Sequence, residues 1–317
     1  MIIMRLRSLM NGLLNVGEIM GIGRTIRVYL DDGSITGIRH AEIVNWTGQA
    51  LSSPRNQVKS LSEWEESIKP GVYFLFGVDE ETGGPAVYIG EAENVYRRLQ
   101  QHLTDPDKDF WNEVVLFTSK DENLTKSHVK YLESQLVLLV KSASRYALLN
   151  GNEPKTPTLP RGDRDAMEEF IQNLRVLLGV IGHKALEPFS SNESKDKGGE
   201  QLSSKALAIF ESQYFLKVKS AKANAIVTNE GIVVLTGSEV SKNIKDSLSF
   251  GYKKLREQLI ASSVIVEDGD KLVFSKDQLF TSPSQAGAII VGYAINGRRY
   301  WQNNEGISLK DIEETND

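Results

Sequence analysis

Alternating hydrophobic and polar residues indicate the first β structure of the chain. Ile26, Val28 and Leu30 alternate with polar or aromatic neighbours, and the Asp-Asp-Gly sequence at 31–33 is typical of a tight turn. A second strand is expected near residues 34–39. The pattern therefore predicts a small β hairpin ahead of the main domain.

Three further β-prone runs and two helical patterns occupy the middle of the chain. The runs lie at 71–76, 86–89 and 114–118, and the helical patterns lie at about 93–103 and 125–146. A polar turn separates the first two runs, which predicts a second hairpin. The longer helix is expected to end near Asn150, before a loop that contains several prolines.

The last third of the chain is expected to form a unit of its own. After a helical run at 164–185, residues 190–199 contain no apolar side chain, which predicts a flexible linker. From about residue 205, β-prone runs at 225–235 and 271–274 flank a helical pattern. The fold class predicted from these patterns is mixed α/β, of the α+β kind.

Four segments follow from this division. They are a small β-rich leader (1–60), a central domain (61–162), a helix with a flexible linker (163–204) and a C-terminal accessory domain (205–317).

Composition narrows the possible chemistry. The chain of 317 residues has no cysteine, so disulfides and cysteine-ligated metals are excluded. Its formal net charge of −5 is unusual for a nucleic-acid binder, so any contact with nucleic acid needs a local basic patch. There is no apolar stretch typical of a signal peptide or a membrane span, which predicts a cytoplasmic protein without a membrane partner.

One carboxylate stands out on the long helix. At helical spacing, Glu133 has the neighbours Val129, Leu136 and Val140, so it falls on an otherwise apolar stripe. Burying a carboxylate costs on the order of several kcal/mol unless the group is paired or binds a cation. Glu133 is therefore a candidate metal ligand. The alternative is that it lies at the edge of the stripe and reaches solvent.

Five motifs in order resemble the GIY-YIG nuclease family over roughly residues 68–155. They are Gly71-Val72-Tyr73, Val87-Tyr88-Ile89-Gly90, Asn94-Val95-Tyr96-Arg97-Arg98-Leu99, Tyr131-Leu132-Glu133 and Asn150. The resemblance implies a small central antiparallel sheet flanked by helices. It also implies a metal-dependent endonuclease that hydrolyses phosphodiester bonds, with DNA as the expected substrate.

The resemblance implies a role for each of these residues. Glu133 would bind one divalent cation, Mg²⁺ or Mn²⁺, and Arg98 would steady the phosphate charge. Tyr73 and Tyr88 would position or deprotonate the attacking water. His102, which shares a helix face with Arg98, holds a position that is tyrosine or histidine in relatives, and Asn150 closes the motif set.

Other interpretations of these residues remain open. The tyrosines could be ordinary strand aromatics, Arg98 and its neighbour Arg97 a solvated helix face, His102 a surface histidine and Asn150 a helix stop. Where several relatives carry lysine after the YIG glycine, this chain has Glu91. A catalytically weak or inactive module that binds nucleic acid or protein is therefore the alternative function.

The C-terminal segment resembles an uncharacterised domain often appended to GIY-YIG modules. The residues that carry this resemblance are Ser282-Pro283-Ser284, Ala286, Asn296-Gly297-Arg298 and Trp301. Arg298, Arg299, Tyr300 and Trp301 combine cations with aromatic rings, and Arg298, Arg299 and Trp301 are candidate nucleic-acid contacts. A structural strand is the alternative, and a protein partner is also possible for this domain. A second basic cluster at 253–256 is interpreted as a solvated helix face.

Overall fold

A computed structural model describes residues 23–80, 83–189, 213–219 and 221–315. The predicted linker at 190–199 lies outside the described residues. The chain divides into two compact units. The first comprises Met1–Gly77, Ala86–Val137 and Leu149–Lys184, and the second comprises Val78–Pro85, Leu138–Leu148 and Ala185–Asp317.

The elements up to residue 181 comprise seven strands and three α-helices among the described residues. The strands are β1 (Ile26–Leu30), β2 (Arg39–Ile43), β3 (Gly48–Pro54), β4 (Gly71–Val78), β5 (Pro85–Ala92), β6 (Trp111–Ser119) and β7 (Ala147–Leu148). The helices are α1 (Val95–Leu103), α2 (Lys126–Ala143) and α3 (Arg161–Ile181). Short 3-10 helices span Arg55–Glu63, Glu65–Ile68 and Pro106–Lys108.

Six of these strands lie in the order β1-β2-β3-β6-β4-β5 within one sheet. β6 pairs antiparallel with both β3 and β4, so that Leu116 lies opposite Leu51 on one side and Tyr73 on the other. The predicted boundary at residue 60 therefore falls inside a single sheet, and the leader strands are not a separate domain. The second strand of the leader is Arg39–Ile43 and not residues 34–39 as predicted. Residues 34–37 belong to the turn region that precedes this strand.

Helix termini differ from the sequence prediction at one important place. α1 begins after Asn94, whose side chain accepts a hydrogen bond from the backbone N–H of Arg97, as expected of an N-cap. α2 ends at Ala143, and Ser144 follows with a φ of 55°. Asn150 therefore does not terminate this helix, and the expected end near residue 150 is wrong.

The second unit contains two small sheets and four helices among its described residues. The strands are β8 (Gln213–Val218), β9 (Ala221–Thr228), β10 (Gly231–Val234), β11 (Glu239–Val240), β12 (Ile265–Asp268), β13 (Lys271–Phe274) and β14 (Gln278–Phe280). They form the sheets β14-β10-β9-β8 and β11-β13-β12. The helices are α4 (Phe250–Ala261), α5 (Pro283–Val291), α6 (Gly297–Tyr300) and α7 (Leu309–Thr315). The prediction of a mixed α/β chain is confirmed.

α5 is the central helix of the second unit's core. Its N-cap Ser282 accepts a hydrogen bond from the backbone N–H of Gln285, and Pro283 occupies the first turn, where its missing N–H is not needed. Residues 286–291 are all buried. Among the described residues, no helix is long and apolar enough to cross a membrane.

Arg256 on α4 corrects the interpretation of the second basic cluster. Its side chain is 1% exposed, and its guanidinium donates hydrogen bonds to the backbone carbonyls of Ile289 and Ser241. Burial lowers the pKa of this guanidinium from its ordinary value. Lys254 is exposed, as expected of a solvated face, but Arg256 joins α4 to α5.

We expect Arg256→Ala to lower the free energy of unfolding by about 2–4 kcal/mol, because it leaves a cavity and two carbonyls without their donor. Lys254→Ala on the same helix serves as the matched control and should stay within about 0.5 kcal/mol of the parent. Urea unfolding of the full chain measures both. Equal stability of the two variants would contradict the structural role of Arg256.

Candidate active site

A cavity of about 460 Å³ opens in the first unit between β5, α1 and the start of α2. Its lining combines two phenols, three carboxylates and three cations: Tyr73, Tyr88, Glu91, Glu93, Glu133, Arg97, Arg98 and Lys126. Four of the residues predicted from sequence thus lie around one space. β4 and β5 supply the tyrosines, while α1 and α2 supply the arginine and the glutamate.

Tyr73 and His102 form a buried pair behind this cavity. Tyr73 is fully buried and His102 is 2% exposed. The Tyr73 hydroxyl and Nε2 of His102 share a hydrogen bond of 2.8 Å. Burial, with Arg98 and Lys108 nearby, lowers the pKa of His102 to about 4. His102 is therefore neutral at pH 7, and the alternative interpretation as a surface histidine is wrong.

Gly90 makes room for the Tyr73 hydroxyl. A Cβ at this position would lie 2.3 Å from Tyr73 Oη, well inside van der Waals contact. A side chain at residue 90 would therefore push the phenol away from His102. This explains physically why glycine follows the Tyr-Ile pair on β5.

Arg98 connects the two tyrosines at the mouth of the cavity. Burial and the neighbouring Tyr88 raise the pKa of Tyr73, and interaction of its hydroxyl with the Arg98 guanidinium partly offsets that effect. Arg98 also donates to Oε1 of Gln101 at 2.7 Å. The guanidinium is exposed, so it remains accessible to an anion that enters the cavity.

Glu133 is half-buried on α2 and faces a second carboxylate. Burial, followed by repulsion from Glu91, raises the pKa of Glu133 to about 7, and Lys126, Lys130 and Arg98 act in the opposite direction. Its helix neighbours Val129, Leu136 and Val140 are fully buried, so the predicted apolar stripe is present.

Lys126 neutralises part of the charge at Glu91. Its Nζ lies 2.9 Å from Oε2 of Glu91 and 4.0 Å from Oε2 of Glu93. Lys126 precedes Glu133 by seven residues, about two helical turns, and therefore occupies the same face of α2. This chain has Glu91 where several relatives carry lysine. Lys126 of α2 thus supplies a positive charge next to that position.

The donor set fits a hard divalent cation that keeps most of its water. Glu133 and Glu91 are two carboxylates near one cavity, and their mutual repulsion would be relieved by a cation between them. Among the residues that the structure describes, no group of three or more His, Asp or Glu side chains is arranged to hold a metal. Protein oxygens would therefore fill only a few of the coordination positions.

Asn150 lies outside the lining of the cavity and holds the backbone of β5. Its Nδ2 donates to the carbonyl of Ile89 at 2.7 Å, and its Oδ1 accepts from the Ile89 N–H at 3.0 Å. Ile89 lies directly between Tyr88 and Gly90. Asn150 therefore positions the backbone between Tyr88 and Gly90 and does not itself face the cavity.

Several residues of the cavity lining were not among the sequence candidates. Gln101, Lys126 and Arg97 line the cavity, and of these only Arg97 had been considered, as part of a solvated face. Lys108 was also missed, although its Nζ lies 3.8 Å above the ring of Tyr88 in a cation–π contact. The seven-residue spacing before Glu133 could have revealed Lys126. Lys108 lies in a 3-10 turn that has no comparable signal.

The candidate contacts in the C-terminal segment do not form one surface. Trp301 is fully buried, and its Nε1 donates to the carbonyl of Pro283 at 3.0 Å, so it cannot stack on a base in this conformation. The guanidinium of Arg298 is paired with the carboxylate of Glu313. Arg299 is exposed and lines a separate cavity. The sequence prediction is therefore wrong for Trp301, which belongs to the core.

Comparison with known proteins gives one result, for the second unit. A family model described as "Domain of unknown function (DUF4357)" matches residues 214–313. This range contains the residues on which the C-terminal resemblance depends. No curated protein and no solved structure matches the chain.

The raised pKa of Glu133 predicts a pH-dependent effect of Glu133→Gln in the presence of EDTA. In the folded state the carboxyl keeps its proton up to about pH 7, whereas an unfolded glutamate loses it near 4.5. The stability that wild type gains from this proton is present below pH 4.5 and is lost as the pH rises to about 7. The variant should therefore become more stable relative to wild type across that interval.

Urea midpoints measured from pH 4 to pH 8 test this expectation. Glu169→Gln, at an exposed position on α3, serves as the control. A difference between wild type and Glu133→Gln that stays constant with pH would contradict the buried, repelled state of this carboxyl.

Proposed function

We propose that the first unit is a metal-dependent endonuclease of the GIY-YIG type that hydrolyses phosphodiester bonds, with DNA as its substrate. The observation that carries the proposal is the single cavity lined by Tyr73, Tyr88, Arg98 and Glu133. A phosphodiester needs an oriented water, stabilisation of charge on its oxygens and a cation near the leaving group. Each of these requirements has a candidate group in the lining.

Glu133 is the residue that would hold the cation, with Glu91 beside it. One Mg²⁺ or Mn²⁺ ion per site would supply Lewis-acid polarisation of the phosphate. Arg98 contributes a planar guanidinium whose geometry matches two phosphate oxygens. The positive charge of Lys126 reduces the repulsion between the DNA backbone and the carboxylates of Glu91 and Glu133.

The two tyrosines have different environments, and this suggests different tasks. Tyr73 is fully buried with a raised pKa, so it keeps its proton and can donate it in the hydrogen bond to neutral His102. Its oxygen can then accept a hydrogen bond from the Arg98 guanidinium. Tyr88 is only half-buried and is the phenol better placed to contact an attacking water.

A binding module without catalysis remains the second candidate. The acidic balance of the chain and the presence of Glu91 favour it. The ion pair between Glu91 and Lys126 reduces the weight of that argument. The second unit is proposed to contribute affinity for nucleic acid or for a protein partner. The location proposed for the protein is the cytoplasm.

Cleavage of nucleic acid is the direct test. Full-length protein incubated with supercoiled plasmid, single-stranded DNA or RNA should cleave DNA when Mg²⁺ or Mn²⁺ is present and not in EDTA. Glu133→Gln should lower the rate by about 100-fold or more, since it removes the ligand charge but keeps the volume. Glu169→Gln should retain the parental rate. Wild type that binds DNA but cleaves none of the substrates would favour the binding module.

Arg98 is expected to affect the chemical step more than binding. We expect Arg98→Gln to lower the single-turnover rate by roughly 100-fold with a smaller change in affinity, because charge on the phosphate grows in the transition state. Arg97→Gln, on the neighbouring position, should mainly weaken binding, and Arg161→Gln on α3 is the exposed control. An Arg98→Gln variant that loses affinity alone would make Arg98 a docking residue.

A further inference from the structure

A second cavity, of about 630 Å³, lies in the second unit where β8 meets the segment after α6. Its walls include Phe215 and Lys217 from β8, and Arg299, Tyr300 and Gln302 from the other side. We call it the Arg299 cavity. It lies within residues 213–219 and 299–306, entirely in the region that matches the domain of unknown function.

Backbone hydrogen bonds fix the two walls of the Arg299 cavity relative to each other. The N–H of Phe215 donates to the carbonyl of Gln302 at 2.7 Å, and the N–H of Gln302 donates back at 3.0 Å. Beyond Gln302, Oδ1 of Asn303 accepts from the N–H groups of Glu305 and Ile307 and holds the turn in shape. The cavity is therefore a built concavity rather than a gap between two loops.

The charge of the Arg299 cavity is opposite to that of the whole chain. Its lining carries Arg299 and Lys217, and no carboxylate among the described residues. Within the described part of the second unit, no carboxylate lies within ion-pair distance of Arg299, whereas its neighbour Arg298 is paired with Glu313. The chain has a net charge of −5, so this is a local basic site of the kind that an acidic protein would need to bind a phosphate backbone.

Aromatic rings lie beside these cations. Tyr300 is 48% exposed and lines the cavity, so its ring is accessible to a ligand there. Phe215 is half-buried, and Nζ of Lys217 lies 5.9 Å from its ring centroid. Proteins that bind single-stranded nucleic acid of varied sequence combine two components. Cations follow the phosphate backbone, and aromatic rings stack on the bases.

We infer that the Arg299 cavity binds single-stranded nucleic acid, with phosphates at Arg299 and Lys217 and a base stacked on Tyr300. Gln302 offers an amide that can form hydrogen bonds with a base edge. This inference deepens the proposed function, because it names the form of nucleic acid that the second unit would recruit. It differs from the sequence prediction, since Lys217 and Phe215 join Arg299 and Tyr300 in place of Trp301 and Arg298.

Binding of a fluorescein-labelled oligonucleotide to the full-length protein in EDTA tests the inference. Anisotropy titrations at several salt concentrations give both the affinity and the salt slope. Arg299→Gln should weaken binding roughly tenfold and lower the magnitude of the slope by about one, because one phosphate contact is lost. Arg298→Gln removes the same charge from the adjacent position and should change neither quantity by as much.

Tyr300→Leu distinguishes stacking from electrostatics. It should weaken binding roughly tenfold while leaving the salt slope unchanged, because it removes a ring and no charge. Duplex DNA of the same sequence should depend less on Tyr300, since its bases are already stacked. A poly-glutamate peptide serves as a competitor that carries charge without bases.

The outcomes separate this inference from the proposed nuclease activity. Oligonucleotide binding that depends on Arg299 and Tyr300 supports the inference even if no substrate is cleaved. Equal effects of Arg298→Gln and Arg299→Gln, or an unchanged affinity for Tyr300→Leu, would overturn it. So would Arg299-dependent binding of poly-glutamate that exceeds binding of the oligonucleotide, which would assign the cavity to an acidic protein.

Discussion

A carboxylate that cannot leave an apolar helix face is the constraint on which the first unit's cavity depends. α2 buries Leu132 and Leu136 on either side of Glu133, so the helix cannot rotate to expose the glutamate without exposing the core. The charge must therefore be managed where it lies. Glu91 increases the repulsion, while Lys126 and Arg98 reduce it. The result is a cavity in which carboxylates and cations lie side by side.

The residues that resemble a nuclease motif divide into two layers. Tyr88, Arg98 and Glu133 face the cavity, and Tyr73 extends to it from the core. Behind them, His102 orients Tyr73, and Asn150 orients the strand that carries Tyr88. Both layers belong to one ordered series of motifs in the sequence, although His102 and Asn150 do not line the cavity. Replacement of an inner residue would act through geometry and would be felt across several outer ones.

The sequence predicted the individual helices and strands and the faces of these elements on which the candidate site residues lie. It could do so because helical and strand periods are local properties. It placed Glu133 on an apolar stripe and the two tyrosines on neighbouring strands. It could not place β6 between β3 and β4, since pairing between distant strands leaves no periodic signal. For the same reason it misjudged Arg256 and Trp301. The charge of Arg256 and the aromatic ring of Trp301 suggest exposure or binding. Both side chains are buried, and both donate hydrogen bonds to backbone carbonyls that are distant in sequence.

The hydrogen bonds of Asn150 have a consequence for assembly as well as for the shape of the cavity. A side-chain amide presents a donor and an acceptor in one plane, as a peptide group does, so it can pair with Ile89 in the way a neighbouring strand would. Strand edges with free N–H and C=O groups recruit other chains and promote aggregation. At Ile89 both groups are already satisfied from within the chain. The N–H and C=O of Ile89 are thereby unavailable to a strand of another chain.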